Sequence, residues 1–94
     1  MRGSISTMHT VELLEQAMAT AKELGYRIRQ EWIDCEGGSG TCEFKGQKWI
    51  FLDLSLDPGE QLEIVLQALA SAEDAKILKF PGELRRRVEL RKSA

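Results

Sequence analysis

Two cysteines, Cys35 and Cys42, and a single histidine, His9, are the side chains of this chain best suited to metal binding or nucleophilic chemistry. Structural zinc is usually held by four cysteine or histidine ligands, and catalytic zinc by three protein ligands and a water. The cysteines lie seven positions apart, which is wider than the gap of a zinc knuckle. We expect no metal and no cofactor, and a thiol-based redox or metal role for the two candidate thiols is an alternative.

No catalytic residue is predicted. A cysteine nucleophile needs a neighbouring base, and His9 precedes the first predicted helix, far along the chain from both thiols. The glycine-rich segment 36–40 (EGGSG) lacks the Gly-Lys-Ser/Thr ending of a phosphate loop, so it is interpreted as a connection. Asp53, inside an apolar segment, is expected to accept hydrogen bonds from the following turn.

The aromatic residues Tyr26, Trp32 and Trp49 could form a platform for nucleic-acid bases, with Arg27, Arg29 and Lys48 near them in sequence. So few aromatic residues in a small domain favour core packing instead. Among apolar residues, Trp32, Ile33 and the leucines of the second helix are therefore candidate contacts for a protein partner only where they prove exposed.

The charge is unevenly distributed along the chain. Residues 1–75 carry six Lys/Arg and thirteen Asp/Glu, a net −7, whereas residues 76–94 carry seven Lys/Arg and two Glu, a net +5. We favour a basic segment that is solvated or lies against the acidic body. Binding of nucleic acid or another anionic partner through residues 76–92 is the alternative, with Arg85, Arg86 and Arg87 as candidate contacts.

The periodicity of apolar residues predicts the elements. Residues 10–24 have helical spacing, residues 26–32 alternate as a half-exposed strand, and residues 41–45 form a short strand. Gly46 and Gln47 are predicted to form a type II′ hairpin turn before the apolar segment 49–54, which we expect to be a central strand covered on both sides. Asp57, Pro58 and Glu60 predict a capped helix.

The predicted fold class is α+β, with two layers and a three-stranded antiparallel sheet under two main helices in the order α-β-β-β-α. Residues 8–80 form the single predicted domain. Residues 1–7 are expected to be disordered or vector-derived, and residues 81–94 to be a basic tail, either a short helix or disordered.

Segments 48–54 (KWIFLDL) and 58–66 (PGEQLEIVL) resemble the strand and active-site helix of the ImmA/IrrE-type metallopeptidases. That family places His-Glu-x-x-His on this helix to bind zinc and activate water. Here residues 66–71 (LQALAS) contain no histidine. The resemblance therefore implies a relative without zinc ligands, to which neither the peptidase activity nor any functional residue can be transferred.

These observations together predict a small non-catalytic interaction or regulatory module. A protein partner or a second copy of the chain is the expected ligand. No apolar run approaches the roughly 20 residues that span a bilayer, so no membrane association is expected, and a cytoplasmic location is the default.

Overall fold

The computed structural model describes the backbone of residues 2–32 and 40–93, and the side chains of residues 9–32 and 40–92. In these ranges the elements are α1 Arg2–Glu23, β1 Tyr26–Glu31, β2 Gly40–Phe44, β3 Gln47–Asp53, α2 Pro58–Ala70, α3 Asp74–Ile77 and α4 Gly82–Ser93. The predicted α+β class and the order α-β-β-β-α are confirmed.

The sheet is mixed, which corrects the expectation of a purely antiparallel one. β3 lies between the other two strands, antiparallel to β2 and parallel to β1. The antiparallel expectation assumed that consecutive strands are neighbours. Instead the most apolar strand occupies the centre, so β1 pairs with β3 and not with β2.

The hairpin between β2 and β3 turns on Lys45 and Gly46, not on Gly46 and Gln47 as predicted. Both turn residues have positive φ, 53° for Lys45 and 79° for Gly46, and Phe44 pairs with Gln47 across the turn. Two positive φ angles at the centre are the pattern of a type I′ turn, in which glycine favours the second position.

One face of the sheet packs against α1 and α2. Ile50 and Leu52 of β3 are fully buried beneath these helices. The helices contribute the remaining buried side chains of this layer, among them Leu13, Leu14, Ala17 and Ala21 of α1 and Leu62, Val65, Leu66 and Leu69 of α2.

The start of α2 is the capping box that the sequence predicts. The Asp57 carboxylate accepts a hydrogen bond from the backbone N–H of Glu60 at 2.8 Å, and the Glu60 carboxylate accepts one from the N–H of Asp57 at 3.1 Å. Asp53 likewise accepts a hydrogen bond from the backbone N–H of Ser55 at 2.9 Å, as expected for the turn after β3.

The C-terminal elements share the same core. Leu84 and Val88 of α4 are fully buried, together with Ile77 of α3 and Phe80 just after it. Leu78, between Ile77 and Phe80, is 57% exposed. The basic residues of α4 are therefore carried on a helix that belongs to the body of the domain.

Candidate anion-binding site

The three arginines predicted as contacts, Arg85, Arg86 and Arg87, each lie beside a carboxylate of α4 itself. Arg85 is 3.3 Å from Glu89, while Arg86 and Arg87 are 3.5 Å and 3.2 Å from Glu83. These pairs follow from helical spacing, which brings residues three or four apart together on one face. Their charges are partly neutralised within the helix.

The two cations at the end of α4 reach acidic residues of other elements. Arg91 is ion-paired with Glu63 of α2, and the Lys92 ammonium lies 2.9 Å from the Asp74 carboxylate of α3. This arrangement agrees with the interpretation that the basic segment lies against the acidic body. All five cations between residues 85 and 92 have acidic partners.

The other candidate contacts are dispersed. Trp32 follows the last residue of β1 and is 74% exposed, whereas the leucines of α2 are buried and unavailable to a partner. Cys42 is a free, exposed thiol on β2. Ile33 and Cys35 lie outside the described residues.

A different group of cations makes no ion pair among the described side chains, although one of them, Lys48, is the register partner of Glu43 of β2. Its members are Lys22, Arg27, Lys45, Lys48, Lys76 and Lys79. Four of these surround Tyr26, the first residue of β1, and we call that set, Lys22, Tyr26, Arg27, Lys48 and Lys76, the Tyr26 surface.

Two adjoining clefts form the Tyr26 surface. An open cleft of about 520 Å³ follows β1, and its lining of Lys22, Tyr26, Arg27, Ile28, Arg29 and Trp49 includes three cations and no carboxylate. A second cleft of about 220 Å³ lies between the start of β1 and the end of α2, where Lys48, Lys76 and Glu73 line it. Tyr26 belongs to both clefts, so it lies at the centre of the cationic region.

Parallel pairing of β1 and β3 places cations beside aromatic rings. Arg27 is the register partner of Trp49, and its guanidinium carbon lies 5.7 Å from the centre of the indole. Lys48 is the partner of Tyr26, with its ammonium 5.6 Å from the ring centre. Both distances lie within the reach of a cation–π interaction, which holds the cations in place without neutralising them.

Trp49 and Phe51 form a stacked aromatic pair on the sheet face opposite the helices. Their ring centres are 5.8 Å apart and the ring planes differ by 11°. Both side chains are half-buried, whereas Ile50, between them, is fully buried on the other face. Gly40 of β2 is the register partner of Phe51, so no side chain from that position lies beside the phenyl ring.

The prediction that the aromatic residues pack in the core is confirmed for Tyr26, which packs against the buried cluster, and is wrong for Trp32, which is 74% exposed. Arg27 and Arg29, the arginines predicted to lie near an aromatic platform, are both on β1.

β3 is the central strand, as predicted. The expectation that both of its faces are covered is wrong, because in the described part of the chain no helix lies over the face that carries Trp49. The sequence feature that could have distinguished the two faces of β3 is the alternation of the aliphatic Ile50 and Leu52 with two aromatic residues.

The described residues contain no group of three or more histidine, cysteine, aspartate or glutamate side chains placed to hold a metal ion. Over the same residues, no helix combines the length and apolar character that crossing a membrane requires. The arrangement that the structure does present is a cationic surface next to aromatic rings, which suits binding of an anion with flat apolar groups.

A scan of protein-family models and searches of the curated proteins and of the solved structures gave no match to this chain. The resemblance to the ImmA/IrrE-type metallopeptidases stays a prediction.

Proposed function

We propose that this protein is a small non-catalytic binding module whose partner is anionic and docks on the Tyr26 surface. One observation carries the proposal: of the six cations that make no ion pair in the described part of the chain, four surround Tyr26, while every cation between residues 85 and 92 is ion-paired. An unpaired, fixed cation can bind an anionic ligand without first breaking an internal ion pair.

The proposed site differs from the alternative that the sequence suggests, which is binding through residues 76–92. Residues 76–92 carry the largest net positive charge in the sequence, but charge that is paired locally attracts a distant anion only weakly. Lys22, Arg27 and Lys48 come from the part of the chain with net negative charge, and folding brings them together. The expected cytoplasmic location and the expected protein or homo-oligomeric partner remain predictions.

Two matched triple variants test the proposal. Lys22→Gln, Arg27→Gln and Lys48→Gln together remove three charges from the Tyr26 surface, and Arg85→Gln, Arg86→Gln and Arg87→Gln remove three from α4. We expect the first variant to lose roughly ten-fold or more in affinity for a fluorescent heparin fragment and to show a flatter salt dependence, because ion release drives such binding. The second variant should bind nearly as the parent does.

The measurement is fluorescence anisotropy at several salt concentrations, with circular dichroism to confirm that both variants remain folded. A loss of heparin affinity confined to the α4 variant would instead place the binding site in residues 76–92. Equal affinity in the parent and both variants, or no binding by the parent, would contradict the proposal.

A further inference from the structure

Resting on the proposed function, we infer that the anionic partner is a single-stranded nucleic acid. Its bases stack on Trp49 and the adjoining Phe51, and its phosphates contact Lys22 and Arg27, the cations that line the same cleft as Trp49. The inference concerns the open face of the sheet, where the rings and the unpaired cations meet at Arg27.

Adjacent strands combine aromatic rings and positive charges on this face. Arg27 and Arg29 of β1 are register partners of Trp49 and Phe51 of β3, so each aromatic ring has an arginine beside it. Proteins that bind single strands combine a positively charged groove with aromatic side chains on which bases stack. A sheet face with aromatic residues on its central strand is one geometry that provides both.

The charge of the cleft along β1 complements that of a nucleic-acid backbone. Lys22, Arg27 and Arg29 line this cleft, and no carboxylate among the described residues does. At the end of the cleft away from Lys22, Arg29 is ion-paired with Glu31. Lys22 and Arg27 are therefore the cations without an ion pair next to the indole of Trp49. Phosphates along a nucleic-acid backbone fit such a row of cations next to a ring.

The open sheet face fits a single strand better than a duplex or an acidic protein. Bases inside a duplex are already stacked and paired, so rings on a sheet face cannot reach their faces. An acidic peptide would satisfy the cations but has no series of flat rings to match the Trp49–Phe51 pair. The unstacked bases of a single strand use both features.

A fluorescence experiment tests the stacking directly. The chain has two tryptophans, so Trp32→Phe leaves Trp49 as the sole indole. This protein is titrated with a mixed-sequence single-stranded DNA or RNA of about 12 nucleotides, a length within the range that small single-strand-binding domains cover. A duplex of the same sequence and a heparin fragment are titrated in parallel.

We expect the single strand to quench Trp49 emission, and the heparin fragment to bind, as seen by anisotropy, without quenching. We expect the duplex to bind more weakly than the single strand. In the same background, Phe51→Leu should reduce affinity for the single strand about five-fold or more, within the range that loss of base stacking produces, and leave heparin affinity unchanged. Arg27→Lys keeps the charge but not the planar group, so it should reduce quenching more than heparin binding.

The outcomes separate the two proposals. If heparin and the single strand both bind and neither changes Trp49 emission, the partner is recognised by charge alone and the stacking inference is wrong, while the proposed function stands. Tighter binding to duplex than to single strand would also overturn the inference. If no polyanion binds to the folded parent, both fail. Because Phe51→Leu and Arg27→Lys are conservative, circular dichroism should show parental folding.

Discussion

At the scale of single residues, the capping box of α2 makes a prediction that local chemistry alone supports. Asp57→Ala removes the carboxylate that accepts from the N–H of Glu60, leaving one helix donor without its partner. We expect the free energy of unfolding to fall by about 1 kcal/mol, the usual cost of losing such a cap. Urea denaturation followed by circular dichroism measures it.

Asp57→Asn is the matched control, because asparagine caps helices about as well as aspartate. It should retain most of the parental stability. If the asparagine variant is destabilised as much as the alanine variant, the charge of Asp57 and not its hydrogen bond stabilises the helix start, and the capping account is wrong.

Residue-scale features were also the most predictable from sequence, since they depend on near neighbours. The cap at Asp57 and the hydrogen bond accepted by Asp53 follow from residues within three positions. The hairpin turn illustrates the limit. Gly46 marked the turn correctly, but the choice between Lys45–Gly46 and Gly46–Gln47 as the central pair depends on which register β2 and β3 adopt.

At the scale of elements, α4 contributes to the core although its sequence is mostly charged. Leu84→Ala removes a fully buried side chain, and we expect it to lower the free energy of unfolding by about 2–5 kcal/mol. Leu90→Ala makes the same chemical change on the same helix at a position that is 58% exposed. Its effect should stay within about 0.5 kcal/mol.

Thermal or chemical denaturation of the two leucine variants provides the comparison. The difference between them isolates burial, because helix propensity changes equally in both. Equal stabilities would mean that α4 does not pack on the domain in solution, and the ion pairs of its arginines would then lose their structural context.

Pairing between elements was less predictable than the elements themselves. The parallel contact of β1 with β3 joins residues more than twenty positions apart, from Tyr26 with Lys48 to Glu31 with Asp53. The apolar character of β3 predicts its central position, but nothing local to either strand specifies that β1 pairs with it in parallel. The same long-range pairing puts Arg27 beside Trp49, so the candidate site depends on the part of the fold that a single sequence specifies least directly.

At the scale of the whole molecule, the surface where cations make no ion pair differs from the segment that carries the largest net positive charge in the sequence. The sequence suggests an acidic body and a basic arm, and the fold turns the arm into a helix whose cations contact Glu63, Asp74 and carboxylates of its own. Of the six cations that make no ion pair with another described side chain, four lie around the start of β1. The net charge of a segment is therefore a poor guide to which surface attracts an anion.

The same architecture predicts what truncation does. A chain ending at residue 75 lacks four buried side chains of the common core, Ile77, Phe80, Leu84 and Val88. Losses of about 2–5 kcal/mol for each large buried side chain would together be as large as the roughly 5–15 kcal/mol that stabilise a typical domain. We expect this chain to be unfolded, with little dispersion in its amide proton spectrum.

A chain ending at residue 90 is the control for that truncation. It removes Arg91 and Lys92, with their exposed ion pairs to Glu63 and Asp74, but keeps every buried side chain of α4. Exposed pairs contribute about 0–1 kcal/mol each, so this chain should fold and bind the heparin fragment nearly as the parent does. A folded chain ending at residue 75 would show that α4 is an appendage, and deleting it would then directly test binding through residues 76–92.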